Sequence, residues 1–120
     1  MHILVVDDEP DIRVTTQVLL ELYGHTVETA ANGAEAVQAA QKGKPDVVLL
    51  DLSMPVMDGF TAARKLRELP NTASALILAF SAYVSLRDWC DRAIAAGADD
   101  CLPKPLNYPR LEALLSGRGP

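Results

Sequence analysis

The stretch Val47-Val48-Leu49-Leu50-Asp51 decides the fold of this 120-residue chain. Four consecutive aliphatic residues are typical of a strand that is buried on both faces, and such strands belong to parallel sheets covered by helices. The aspartate that follows lies at the carboxyl end of the strand, which is where open α/β sheets bind their ligands. The sequence therefore predicts an α/β domain with a polar site at one edge of its sheet.

Two further apolar runs also end in polar side chains. Residues 3–6 (Ile-Leu-Val-Val) are followed by Asp7 and Asp8, and residues 75–80 (Ala-Leu-Ile-Leu-Ala-Phe) are followed by Ser81. Both runs have the length and the aliphatic content of buried strands. They predict a first and a fourth strand whose carboxyl ends carry two acids and a hydroxyl group.

Two weaker strands complete the predicted sheet. Residues 25–29 (His-Thr-Val-Glu-Thr) alternate and are rich in β-branched residues, and residues 100–102 form a minimal fifth strand shortly before Lys104. Because the carboxyl ends of parallel strands meet at one edge of a sheet, we expect the acids, the hydroxyl group and the ammonium group to converge. Such a place can hold a divalent cation and an anion together.

Helices are predicted between the strands, since apolar residues recur there at helical spacing. Pro10 suits the first turn of the first helix, with Asp8 or Glu9 as its cap, and Asn32 with Glu35 forms a capping box for the second. The predicted helices cover residues 10–23, 33–42, 59–69, 85–96 and 109–115. Five strands that alternate with five helices indicate one doubly wound domain over residues 1–120, with a frayed tail at 116–120.

The charge and the hydropathy of the chain exclude several classes of function. A net charge of −5 without any basic cluster argues against direct contact with nucleic acid, since phosphate contacts need clustered Lys and Arg. The longest apolar run is too short to cross a membrane, and the N-terminus has no signal-peptide pattern. We therefore expect a cytoplasmic protein without membrane contact.

Three side chains in the second half of the chain leave alternatives open. Cys90 and Cys101 are too few for a disulfide framework, and we expect them to be reduced, small apolar residues. The alternative for Cys101 is a redox switch, although a buried thiol next to an acid should be unreactive. Trp89 is either a half-buried packing residue of the fourth helix or an exposed anchor for a partner.

Taken together, these residues resemble the response-regulator receiver domain of two-component signalling. Each matching segment alone is weak, but in this order and at these strand ends they are specific, and the resemblance extends over essentially the whole chain. The matching segments are Val6-Asp7-Asp8-Glu9, Leu50-Asp51-Leu52-Ser53-Met54-Pro55-Val56-Met57-Asp58-Gly59, Ser81-Ala82, Gly97-Ala98-Asp99-Asp100 and Lys104-Pro105. The resemblance implies a five-stranded parallel sheet in the order 2-1-3-4-5.

The resemblance also implies an acidic metal site and a phosphoacceptor. Asp51 stands at the phosphoacceptor position of the family. The metal ligands would be Asp7, Asp8, Asp51 and the backbone carbonyl of Ser53, and the metal would be Mg²⁺, a hard cation that prefers oxygen ligands. The phosphoryl donor would be a sensor histidine kinase or a phosphotransfer protein.

Two further residues would act on the phosphoryl group. Lys104 would supply a second positive charge, and Ser81 would donate its hydroxyl group, as a permitted variant of the more frequent Thr. The domain would be a signalling module that catalyses its own phosphorylation and dephosphorylation, and not a turnover enzyme.

The resemblance fails around the face formed by helix four, strand five and helix five. Cys101 replaces the aromatic residue that usually moves with the hydroxyl group, Leu106 stands where Phe is frequent, and Pro103 and Pro109 are unexpected. Many receivers use this face for a homodimer or an effector. We therefore expect an atypical output switch, so that the domain signals through another surface or mainly relays phosphoryl groups.

Other interpretations remain open from the sequence alone. The acids could be ordinary helix caps and loop residues. A metal-dependent phosphohydrolase with an aspartyl-phosphate intermediate would need a second acid two residues after Asp51, and Ser53 stands there. A receiver-like module that is never phosphorylated, and a receiver cut from a larger regulator or hybrid kinase, are the remaining alternatives.

Overall fold

The computed structural model describes residues 1–52, 59–81, 87–103 and 106–116. In these residues, five strands of one parallel sheet alternate along the chain with five helices. The strands are β1 (His2–Val6), β2 (Thr26–Ala30), β3 (Val47–Asp51), β4 (Leu76–Ser81) and β5 (Asp100–Pro103). The helices are α1 (Pro10–Leu22), α2 (Gly33–Lys42), α3 (Gly59–Glu68), α4 (Arg87–Ala96) and α5 (Tyr108–Ser116). The order β2-β1-β3-β4-β5 confirms the predicted doubly wound topology.

Strand β3 lies at the centre of the sheet, between β1 and β4, and all five of its residues are buried. Its side chains alternate between two separate cores. Val48 and Leu50 belong to the core under α2, α3 and α4, whereas Val47 and Leu49 belong to the core under α1 and α5. Because both faces of the strand are covered, the four positions before Asp51 are all aliphatic, as the sequence pattern indicated.

Glycines end two of the helices at the predicted places. Gly24 follows α1 with φ +96°, and Gly97 follows α4 with φ +125°. Both values lie in the left-handed region, which an L-residue with a Cβ adopts only at a cost. These two positions therefore need glycine.

The predicted capping box of α2 is confirmed with one difference. The side chain of Asn32 accepts a hydrogen bond from the Glu35 N–H at 2.9 Å. The Glu35 carboxylate accepts in return from the N–H of Ala31, not from that of Asn32. The box therefore also fixes the residue that joins β2 to the helix.

Helix α1 carries apolar residues on two sides. Thr16 and Leu20 are buried against the sheet, whereas Val14, Val18 and Leu22 are exposed. The exposed residues are spaced four apart, so they form a second stripe on the side that faces water. Helical spacing was therefore predicted correctly, but it does not say which stripe faces the core.

The prediction that Cys90 and Cys101 are reduced is wrong in this structure, because their sulfur atoms form a disulfide. Cys90 lies in the first turn of α4, and Cys101 is the second residue of β5. Helix α4 runs back along the strand that follows it, and this brings the two Cα atoms within 5.8 Å, a separation that disulfides span. The small number of cysteines could not reveal this proximity.

Trp89 is half-buried and packs between α3 and α4. Its ring centroid lies 5.4 Å from that of Phe60, and the guanidinium of Arg92 lies 4.4 Å from the Phe60 centroid. Trp89 also contacts the core on this side of the sheet. The structure thus favours the interpretation of Trp89 as a packing residue.

None of the helices in the described part of the chain combines the length and the apolar character that a membrane crossing requires.

The two stripes of α1 should differ sharply in their effect on stability. Leu20→Ala should lower the free energy of unfolding by about 2–5 kcal/mol, because the fully buried side chain leaves a cavity. Val18→Ala, on the exposed stripe of the same helix, should change it by no more than about 0.5 kcal/mol. Urea unfolding measures both values, and equal losses would contradict this assignment of the buried stripe.

Candidate functional site

The candidate site lies at the carboxyl ends of β1 and β3. Val6 and Leu50 are partners in the register of these strands, so the residues that follow, Asp7 and Asp51, lie side by side. Carboxylate oxygens of Asp7, Asp8 and Asp51 all lie within 4.8 Å of one another. The structure thus brings together the three acids that the strand ends predicted.

The three acids differ in their surroundings. Asp7 is completely buried and Asp51 is 3% exposed, whereas Asp8 is open to water. Negative charges at this distance repel one another, and the repulsion is stronger where burial lowers the local dielectric constant. A hard divalent cation would relieve it, and three carboxylates are a suitable donor set for such an ion.

Asp7 is held by three hydrogen bonds, two through its backbone and one through its side chain. Its N–H donates to the Ala30 carbonyl at 3.1 Å, and its Oδ1 accepts from the Glu9 N–H at 2.9 Å. Its carbonyl oxygen accepts from Nη1 of Arg13 at 2.8 Å. Glu9 occupies the N-cap position of α1 but its side chain makes no capping hydrogen bond, so the predicted side-chain cap is not formed.

Arg13 is a residue of this site that the sequence analysis missed. It is the fourth residue of α1. Its guanidinium holds the carbonyl group of Asp7 and so helps to set the direction of the carboxylate beside it. No sequence pattern distinguishes such an arginine from a solvated one.

Asp51 is held at the tip of β3 by its neighbours in the sheet and by α3. It is the partner of Phe80 in the register with β4, and the Leu52 N–H donates to the Phe80 carbonyl at 3.2 Å. The Gly59 N–H donates to the Leu52 carbonyl at 3.1 Å, which brings the start of α3 onto the strand end. The close approach of Gly59 was not predicted.

Ser81 is the last residue of β4 and is 2% exposed. It follows Phe80, the strand partner of Asp51, and it is itself the partner of Pro103 at the end of β5. The ends of β3, β4 and β5 therefore lie next to one another in the sheet. Lys104, which follows Pro103 in the chain, and Ser53 lie outside the described residues.

A family model described as the response regulator receiver domain matches residues 3–116 of the chain. The chain belongs to this family. The match extends from the second residue of β1 to the last residue of α5, and it agrees with the resemblance drawn from the motifs. The chain is thus a receiver domain of two-component signalling.

Known relatives support the same assignment. The transcriptional regulatory protein PrrA of Mycobacterium tuberculosis is 39% identical over 122 aligned positions, which cover 98% of the receiver domain and 51% of PrrA. The response regulator MprA of a Mycobacterium species is 37% identical, over 100% of the receiver domain and 53% of MprA. The receiver domain thus spans about half the length of the curated relatives that it matches.

Solved structures with the same fold include a relative with a bound metal. The receiver domain of a sensor histidine kinase from Pseudomonas aeruginosa, solved with a magnesium ion in its active-site cleft, has a TM-score of 0.88 and 31% identity, covering 97% of this chain and 94% of that one. The chemotaxis protein CheY4 of Vibrio cholerae has a TM-score of 0.88 and 35% identity, covering 97% and 96% of the two chains. Both identities are high enough for the family as well as the fold to be shared.

The contact of Gly59 with the tip of β3 should make this position intolerant of any side chain. A Cβ there would lie 2.5 Å from the Asp51 carbonyl oxygen and closer still to the Cα of Leu52. Gly59→Ala should therefore lower the free energy of unfolding by about 1–3 kcal/mol, as overpacking of a well-packed site does. Urea unfolding provides the measurement.

Gly43→Ala is the matched control for this substitution. A Cβ at Gly43 would meet the Glu28 side chain at 3.4 Å, and a surface side chain can move away. The control should lose less stability than Gly59→Ala. If both variants unfold at the same urea concentration, the tight contact at the strand tip does not exist.

Proposed function

We propose that this receiver domain accepts a phosphoryl group on Asp51 from the phosphohistidine of a sensor histidine kinase or a phosphotransfer protein. The observation that carries the proposal is the convergence of Asp51 with Asp7 and Asp8 within 4.8 Å at the ends of the two central strands. In the reaction, an Asp51 carboxylate oxygen forms a bond to phosphorus while the phosphorus–nitrogen bond of the donor breaks. The imidazole keeps the electron pair of that bond and takes up a proton.

Asp7, Asp8 and Asp51 would hold Mg²⁺, with the backbone carbonyl of Ser53 as the ligand that the family resemblance adds. The bound ion would neutralise negative charge where the phosphoryl oxygens approach the carboxylate. The all-oxygen donor set supports this proposal. So does the magnesium ion in the active-site cleft of the Pseudomonas aeruginosa relative.

Ser81 and Lys104 would act on the phosphoryl oxygens. Ser81 is the last residue of β4, the strand beside β3, so it lies at the same edge of the sheet as Asp51. Lys104 comes directly after Pro103, the strand partner of Ser81. A hydroxyl donor and an ammonium group placed there would stabilise charge during transfer, because phosphoryl transfer depends mainly on positioning and charge neutralisation.

The proposed domain is a signalling module that modifies itself and not a turnover enzyme. The rival phosphohydrolase would need a general acid at position 53, and the residue there is serine. The receiver domain and its phosphoryl donor would both be cytoplasmic. The acidic net charge argues against direct contact between this domain and DNA.

The output of the domain would be atypical. Cys101 has no ring that could move with the hydroxyl group of Ser81, and its sulfur is bonded to Cys90 of α4. The usual coupling between hydroxyl group and aromatic side chain therefore has no counterpart at this position. A homodimer or an effector at the face of α4, β5 and α5 would have to sense a different movement.

Asp51 should be the only residue that gains a phosphoryl group from acetyl phosphate and Mg²⁺. Intact-protein mass spectrometry should show one added phosphoryl group on the unmodified sequence and none on Asp51→Asn. The control is Asp46→Asn, at the opposite end of β3, where an amide oxygen can still accept from the His2 N–H. The control should be phosphorylated like the unmodified chain.

The same experiment separates the three interpretations. A lasting mass increase that requires Asp51 supports the receiver. Steady release of phosphate without a lasting adduct would support the phosphohydrolase, and an unchanged mass with no release would support the inert module. Either of the last two results would overturn the proposed function.

Mg²⁺ should raise the unfolding temperature of the chain, because a ligand that binds only the native state stabilises it. Asp8→Asn should unfold at a higher temperature than the unmodified chain in a chelator, since it removes one of three crowded negative charges. It should also lose most of the increase that Mg²⁺ produces. Differential scanning calorimetry measures both effects, with Asp46→Asn as the control that changes neither. An undiminished Mg²⁺ effect in Asp8→Asn would argue against this metal site.

A further inference from the structure

The disulfide between α4 and β5 has no part in the proposed phosphoryl chemistry. It joins the first turn of a helix to an edge strand of the sheet, over a sequence separation of 11 residues. We propose that Cys90 and Cys101 form a reversible thiol–disulfide site, which fixes the start of α4 against β5 when oxidised and releases it when reduced.

The placement of the two cysteines favours a reversible bond over a purely structural one. Both residues are half-buried, so small thiols and disulfides can approach them at the edge of the sheet. Disulfides of proteins in a reducing compartment are usually transient or redox-sensing, and the proposed function places the domain in such a compartment. Thiol–disulfide exchange requires access to the sulfur atoms, and a half-buried pair at the edge of a sheet allows it.

The fold around the pair should survive reduction. Ala93 and Ala96, on the buried side of α4, pack in the core under this face of the sheet without help from the disulfide. Cys101 also packs against this core, and its N–H donates to the Asp100 carboxylate at 2.8 Å. Reduced cysteines would remain there as small apolar side chains. Reduction should therefore loosen the start of α4 without unfolding the domain.

A small-molecule disulfide can oxidise the two thiols to the Cys90–Cys101 bond. The thiolate of one cysteine attacks a small-molecule disulfide such as oxidised glutathione and releases one small thiol. The second cysteine attacks the mixed disulfide, releases the second small thiol and closes the Cys90–Cys101 bond. Two protons leave the protein thiols and two electrons pass to the small disulfide, which becomes two thiols. Excess reduced glutathione reverses both steps.

The site lies beside the proposed phosphoryl site, and this link rests on the proposed function. Cys101 is the strand partner of Ala79, which stands two residues before Ser81. Helix α4 follows Ser81 after residues 82–86, so the disulfide connects the helix that comes after β4 with strand β5 itself. A displacement of the start of α4 relative to β5 would have to separate the two sulfur atoms. The oxidised form should therefore resist such a displacement.

The test equilibrates the full chain in buffers of reduced and oxidised glutathione. Alkylation followed by mass spectrometry counts the free thiols, which should fall from two to none as the buffer becomes oxidising. Hydrogen exchange should be faster in the reduced form by on the order of tenfold in the first turn of α4, while the central strand β3 remains protected. Two free thiols under all conditions, a disulfide that excess glutathione does not open, or equal exchange in both forms would overturn the proposal.

The matched controls are Cys90→Ser, Cys101→Ser and the double variant. The double variant should show the fast exchange of the reduced form in every buffer. Each single variant should form a mixed disulfide with glutathione, which shows that the remaining thiol is accessible. Failure of both single variants to react would contradict the proposed exchange.

Phosphorylation provides a separate measurement. Acetyl phosphate should modify Asp51 in both redox forms, so failure there would affect the proposed function and leave the thiol results standing. With beryllofluoride and Mg²⁺ as a phosphoryl mimic, amide NMR shifts along α4 should be at least about twofold larger in the reduced form than in the oxidised form. Equal shifts in both forms would refute the link between the two sites. The double cysteine variant should give the same shifts in both buffers.

Discussion

The pairing of β1 with β3 holds Asp7 and Asp51 side by side although their negative charges repel each other. The sheet can impose this arrangement because both strands are buried and their residues pack in two cores at once. A slip of one residue in the register would move each side chain to the opposite core and separate the acids. Hydrophobic packing on both faces of the sheet therefore offsets the repulsion between the acids. The register of β1 and β3 determines the distance between them.

Further hydrogen bonds orient the chain segments that follow β1 and β3. Hydrogen bonds from Glu9 and Arg13 fix the turn after β1, and Gly59 fixes the end of β3. The ends of β4 and β5 lie next to this pair, with Ser81 opposite Pro103. The acidic cluster thus lies at the ends of β1 and β3, with the ends of β4 and β5 next to it, and hydrogen bonds from α1 and α3 hold the two chain segments that carry the acids.

The parts of this molecule that depend on local pattern were predictable. The run before Asp51 identified a strand buried on two faces, and the predicted ends of the first and fourth helices fell directly before Gly24 and Gly97. The acids at the strand ends identified the edge where they meet, because parallel strands bring those ends together. Family resemblance added the strand order. None of these inferences needed a distance between side chains that are remote in the sequence.

Features that depend on such distances were missed. The Cys90–Cys101 bond follows from the return of α4 along β5, which cysteine counting does not describe. The contact of Gly59 with the backbone of Leu52, and the hydrogen bond from Arg13, likewise arise only when elements pack. For α1, two apolar stripes compete for the core, and packing rather than spacing selects the one that contains Leu20.

The unselected stripe of α1 has a consequence for association. Val14, Val18 and Leu22 keep apolar surface in contact with water on a helix that begins beside the acidic cluster. Covering that surface would release ordered solvent without displacing Thr16 or Leu20 from the interior. The two sides of the helix are therefore independent. The inner side packs against the sheet, and burial of the outer side against a second molecule would be favourable through the hydrophobic effect.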